Sequence, residues 1–438
     1  MENMELLLPL CLKSIALRFG QTSKTTDSRL ARVIMDKTHM IVFESFFEKI
    51  PYLLMKEAMT GMKLLGAETS LLHALAKLEC LIDFLVGLFA MFHSAQTSIL
   101  TKRLFQSLRY AETDGVDVEN GDVRFEWTPE NLFRVKCSRQ LRLRVIEKLA
   151  VLPNFIALNY PMRFPSVKLP ARGKQATWTK QRELFLKDQQ LRAQDLLQDG
   201  EHVIPPSGWL AEILTRESLS ISALSCEAVV AEAIAHIEEN ENKTATPLKS
   251  AIKTRPTASL TREDLLMFQS IAIHGITCVH ELLLRRHAMD RRYQKESTRG
   301  RIASLFAIPI FEKSLASVRW LARMESTHRV RSLWLLCFTY VLQEAPENLL
   351  RKVVRSYSRS GEIQIHRFIR LLRLGSSTFQ SFIDQQRYCM FPSEIDSAIS
   401  PWLLQESFNT ICATTIIVVE ECASPLSTSS MDQQKMIK

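Results

Sequence analysis

The residues best able to do chemistry in this chain are its histidines, cysteines and clustered arginines, and their spacing limits what that chemistry can be. His280-Glu281, followed by His287, comes nearest to a metal motif. A helical zinc pair needs imidazoles four residues apart, whereas seven residues place them two turns, roughly 10 Å, from each other. His274 and His280 share one helix and are expected to be histidines of the fold, not ligands. The nine cysteines stand singly at Cys11, Cys80, Cys137, Cys226, Cys278, Cys337, Cys389, Cys412 and Cys422, with no Cys-x-x-Cys pair. That argues against a zinc ribbon and against a disulfide framework. Several fall on apolar helical faces, where free cysteine packs as a small hydrophobe. A reducing intracellular compartment follows, cytoplasmic or nuclear, in which the sequon at Asn242 goes unused. The phosphate loop Gly-x-x-x-x-Gly-Lys, the dinucleotide motif Gly-x-Gly-x-x-Gly and the elbow Gly-x-Ser-x-Gly do not occur. No catalytic, cofactor-binding or metal-ligating residue is therefore assigned.

Arginine and lysine supply the one constellation above background. At about 100° per residue, Arg285, Arg292, Lys295 and Arg299 fall within about 80° of one another, a basic stripe at the end of the helix expected to begin after Thr261. Arg286, Arg291 and Arg301 widen the stripe. Glu281 with Arg285, and Arg292 with Glu296, have the spacing of ordinary i,i+4 pairs, so a partly self-paired, solvated face is the competing reading. A second run, Arg351, Lys352, Arg355 and Arg359, followed by Arg367, Arg370 and Arg373, is placed to join the stripe across the fold. A net charge of +9 and an isoelectric point near 9.1 suit partners with acidic surfaces, or nucleic acid. Nucleic acid is the weaker fit, because the basic residues are seldom interleaved with aromatics that would stack on bases.

The elements that must carry these residues are helices. Glycine numbers only 13 and proline 16 in 438 residues, and most prolines fall between periodic segments, which disfavours many short strands. Thr261-Arg262-Glu263-Asp264 gives an N-cap with acidic residues in the first turn. After it Leu265, Phe268, Ala272, Val279 and Leu282 mark one buried face. The pattern crosses a weak break at Gly300 and resumes from Ile302 to Met324. Val330 to Leu342 is apolar nearly all round and should be the most enclosed helix. Upstream, helices are expected over 2–18, Arg29 to Ile50 with Pro51 ending or kinking the second, Tyr52 to Leu65, a pair within Thr69 to Tyr110, and Pro129 to Leu152. Val116, Val118, Val123 and Phe125 alternate around Asn120-Gly121, which predicts a small β-hairpin near 114–127. Downstream, Trp209 to Ile237 makes two helices at most. Gly361 and Gly375 punctuate short pieces up to Phe391, and a last helix runs from Trp402 to about Cys422.

These expectations amount to an all-α helical array, with HEAT- or armadillo-like solenoid stacking as its finer form, in two blocks. The N-terminal block spans 1–158. A proline-containing connector and polar helix span 159–206, where Pro161, Pro165 and Pro170 forbid a regular helix. The C-terminal block spans 207–423 with a mobile loop at 238–260, and 424–438 forms a disordered tail. The most membrane-like run, Phe84 to Phe92, is too short to span a bilayer, so no transmembrane segment is expected. The function expected is a non-enzymatic scaffold or adaptor that holds other proteins within an intracellular assembly. Its rivals are a basic helical nucleic-acid-binding protein and an enzyme without a recognisable motif. Arg285, Arg292, Lys295 and Arg299 are the candidate partner-binding residues.

Overall fold

The computed structural model describes residues 4–20, 37–92, 94–112, 127–152, 155, 210–244, 260–290, 296–324, 329–345, 347–360, 362–388 and 401–423. Among these the regular structure is all-α. The helices are α1 (Met4–Gly20), α2 (Lys37–Leu65), α3 (Ala67–Met91), α4 (Ser94–Glu112), α5 (Pro129–Ala150), α6 (Leu210–Thr244), α7 (Arg262–Asp290), α8 (Glu296–Leu321), α9 (Arg329–Glu344), α10 (Glu347–Ser360), α11 (Glu362–Tyr388) and α12 (Pro401–Ala423). Residues 114–126, which hold most of the expected β-hairpin, lie outside the described residues, as do the connector 159–206 and the tail 424–438.

Local chemistry sets several of the helix ends. Thr128 accepts a hydrogen bond from the Asn131 amide at 3.2 Å, and Pro129 fills the first helical position of α5, where a missing N–H costs nothing. At α7 the Thr261 hydroxyl accepts from the Asp264 amide at 3.2 Å while the Asp264 carboxylate accepts from the Thr261 amide at 2.9 Å. This is a capping box with Asp in the reciprocal position. Other expected breaks do not occur. α2 continues through Pro51, because Phe47, Leu54 and Met55 on either side are fully buried and their packing outweighs one lost backbone bond. α8 contains Gly300 and Pro309, and α11 runs through Gly375. Gly375 serves packing instead of a turn: a Cβ there would lie 2.9 Å from Ile411 Cδ1 of α12. α6 is one helix, and it continues to Thr244, seven residues into the stretch expected to be a mobile loop.

The described helices share one large apolar interior, beside which Val135, Leu260 and Phe268 form a small separate cluster. α2, α3 and α4 run up, down and up, with α1 on α3 and α5 against all three. The strongest pairing of the fold joins α6 to α7. Small residues let these two backbones approach: Ser218 donates to the Gly275 carbonyl at 2.9 Å and Ser222 to the Ala272 carbonyl at 2.8 Å. Every described side chain from Val330 to Thr339 of α9 is buried, as its all-round apolarity implies. α9 lies against α7, α8, α11 and α12, and α10 closes on α11 and α12. The segment Arg262–Leu283 of α7 is long and apolar enough to cross a bilayer. In the fold it packs on α5, α6, α8 and α9.

Candidate interaction surface

α2 and α4 are parallel neighbours, held in register at three points. Arg103 donates to the Glu44 carboxylate at 3.2 Å, the Ser107 hydroxyl donates to the Glu48 carbonyl, and the Tyr52 and Tyr110 rings lie 6.0 Å apart. Both helices turn an aromatic and aliphatic face inward as well as outward. Phe43, Phe46 and Phe47 of α2 pack on Phe84, and Phe43 also on Phe92. On the opposite side Ile41 (58% exposed), Tyr52 (36%), Ile99 (43%) and Tyr110 (56%) border the shallow groove between the two helices, with Val42 and Leu53 on its shoulder. Ile41 and Tyr52 are eleven residues apart, so this apolar line runs for about 16 Å, or three turns. Four solvent-facing apolar side chains thus stand in a row on adjoining helices.

Buried charge fixes α4 against the rest of the fold. Arg142 of α5 is fully buried and donates to Glu217 of α6 at 2.8 Å, to Glu112 of α4, and to the Ser138 carbonyl at 3.4 Å. Arg139 adds bonds to Glu112 at 3.0 Å and to Ser225 at 2.9 Å, with its guanidinium 5.4 Å from the Phe268 ring centre. Arg109 reaches Glu217 from the solvent side at 3.1 Å. Burial opposes ionisation of Glu112, but the guanidiniums of Arg142 and then Arg139 outweigh it and hold its carboxyl below the usual range. The network is saturated by its own members and has the geometry of a device that locks three helices in register.

The basic residues singled out in sequence are placed variously. Arg285 belongs to α7 and Arg299 to α8. Arg292 and Lys295 lie outside the described residues. In the second run, Arg351 pairs with Glu347 at 2.8 Å, Glu420 at 2.7 Å and Glu421 at 3.0 Å, and Arg355 pairs with Glu421. Acidic residues at the end of α12 thus neutralise part of that run. His274 meets Glu147 of α5 at 2.7 Å. His280 has its ionisation pushed down by burial. No cluster of three or more His, Cys, Asp or Glu side chains suited to a metal occurs among the described residues. Cys137 and Cys278 are buried thiols pushed up to about 12, and burial pushes Cys226 and Cys337 up as well, so all four stay protonated near neutral pH. A cleft of about 80 Å³ between α2 and α3, lined by Leu54, Glu57, Gly61, Ser70, His73 and Lys77, has room for little more than water.

Sequence reasoning predicted a helix through Ile41 up to Ile50 but missed its outward apolar face altogether. The available signal was the eleven-residue recurrence of Ile41 with Tyr52 and of Val42 with Leu53, on an arc that also carries Lys49, Lys56 and Lys63. Comparison of the chain with protein-family models, with curated proteins and with solved structures gives no match.

Proposed function

We propose that this chain is a non-enzymatic α-helical scaffold or adaptor that binds other proteins within an intracellular assembly. The observation that supports it is the apolar groove between α2 and α4, where Ile41, Tyr52, Ile99 and Tyr110 face solvent over three helical turns although the same two helices own a well-filled interior. Exposing such side chains opposes solubility and is offset when a partner covers them. The contact pattern, in which chain neighbours such as α2 and α3, α6 and α7, α8 and α9, and α11 and α12 pack in pairs, is compatible with solenoid-like stacking of the layers. Arg285, Arg292, Lys295 and Arg299 are a second contact region for acidic partner surfaces in this proposal. The test is purification of the full chain at native abundance, followed by mass spectrometry and nuclease treatment. Protein partners recovered in fixed ratio and insensitive to nuclease are expected. Recovery of nucleic acid without such proteins, or of the chain alone, overturns the proposal.

A further inference from the structure

The α2–α4 groove carries more information than its apolarity, because its two rims have the same sign of charge. Around α2, Lys56 and Lys49 lie about 40° and 60° from Tyr52 on the side away from α4. Around α4, Lys102 lies about 60° from Ile99 on the side away from α2. All three lysines are exposed and none has an ion pair among the described residues. Arg103, at the groove, is paired to Glu44, and Glu48 on the α4 side of α2 is the opposing charge. An apolar line with cationic rims on both sides selects an occupant that is apolar along one stripe and acidic along both flanks.

We infer that the groove binds an amphipathic α-helix of a partner protein, with aliphatic or aromatic residues at i, i+3, i+4 and i+7 and with Glu or Asp flanking them. This rests on the adaptor proposal and names the partner's chemistry. A helix of about three turns matches the 16 Å line between the Ile41–Ile99 end and the Tyr52–Tyr110 end. Its stripe buries against the four apolar side chains, and its acidic flanks meet Lys49 and Lys56 on one rim and Lys102 on the other. At such exposed positions the charges contribute mainly to choice of partner and rate of encounter, and the apolar contact contributes most of the affinity.

The experiment uses the full chain and two synthetic helical peptides with the same leucine stripe, one with glutamate and the other with lysine at every flanking position. Binding is read by fluorescence anisotropy. The acidic peptide should bind at least about tenfold more tightly than the basic one, with a preference that shrinks as salt is raised. The double variant Lys49→Glu, Lys56→Glu should remove or invert the preference. The variant Ile41→Ser, Ile99→Ser should weaken both peptides. All four positions are exposed, so circular-dichroism melting should match the parent chain. Equal affinity for the two peptides, or acidic-peptide binding that survives both variants, overturns the inference. So does capture of the groove by anionic vesicles, or by a second copy of the chain whose dimer is lost in the Ile41→Ser, Ile99→Ser variant. If protein partners still co-purify while the peptide preference is absent, the adaptor proposal stands and this occupant is wrong. If no partner co-purifies, the adaptor proposal itself fails.

Discussion

Removing the Glu112 carboxylate should harm the fold more than removing the Arg142 guanidinium, although Arg142 is the more deeply buried of the two. The network sets three guanidiniums, Arg109, Arg139 and Arg142, against the two carboxylates of Glu112 and Glu217, with Glu227 acting on Arg139 from the margin. Arg142→Met leaves two of each sign, with Arg139 still on Glu112 and Arg109 still on Glu217. Glu112→Gln leaves three cations for one carboxylate and places Arg139 and Arg142, which already repel each other, side by side without their shared anion. Breaking a buried pair costs roughly 3–5 kcal/mol; Arg142→Met belongs near the lower figure and Glu112→Gln near the upper. Urea denaturation of the two variants and the parent at neutral pH measures this order. The pH dependence gives an independent check. Because the folded-state ionisation of Glu112 is depressed below the ordinary 4.5, its contribution is complete above that value and is lost as pH falls through the depressed one. The gap in melting temperature between parent and Glu112→Gln should therefore be constant above the ordinary carboxylate range and close only as pH falls below it, through the depressed ionisation of Glu112. A gap that persists unchanged at acid pH, or a costlier Arg142→Met, would refute the electrostatic account.

Leu336→Ala in the fully enclosed α9 should cost about 2–5 kcal/mol, measured as a drop in urea midpoint with unchanged slope. Gly275→Ala should destabilise by about 1–3 kcal/mol despite a gain in helix propensity, because its Cβ would meet backbone of α6, the Ser218 carbonyl oxygen at 3.0 Å and the Ser222 amide nitrogen at 3.2 Å. Gly375→Ala, whose Cβ meets side chains alone, Ile411 Cδ1 at 2.9 Å and Cγ1 at 3.3 Å and Phe379 Cε2 at 3.8 Å, should change stability by less than about 1 kcal/mol in the same assay. Maleimide labelling read by mass spectrometry should modify Cys11, Cys412 and Cys422 first and leave Cys137, Cys226, Cys278 and Cys337 unmodified in the native state; early labelling of Cys337 would contradict the enclosure of α9.

How much of this was legible from the residues alone depends on whether the determining physics is local. The all-α class, the cap at Thr261, the start of α5 at Pro129 and the enclosure of α9 were readable, because caps, prolines and all-round apolarity act within one or two turns of chain. Breakers misled where packing overrode them. Pro51 and Gly375 stand inside helices because the packing of α2 and α11 on their neighbours outweighs the local cost, and no single-helix argument includes that gain. The charges misled for a related reason. Nothing in the spacing of Arg139 and Arg142 marks them as interior, and only the meeting of α4, α5 and α6 supplies Glu112 and Glu217 and turns them inward. Arg351 and Arg355 likewise looked like a free basic run until α12 brought Glu420 and Glu421 beside them. The outward face of α2 required the same information in reverse. A helix with apolar residues on two sides does not say which side is covered, and here Phe84 and Phe92 take Phe43, Phe46 and Phe47 while Ile41 and Tyr52 are left to solvent. Sequence determined which segments are helices, since that is set by backbone bonding and residue period; tertiary structure decided which face of each is interior, since burial depends on partners far away in the chain.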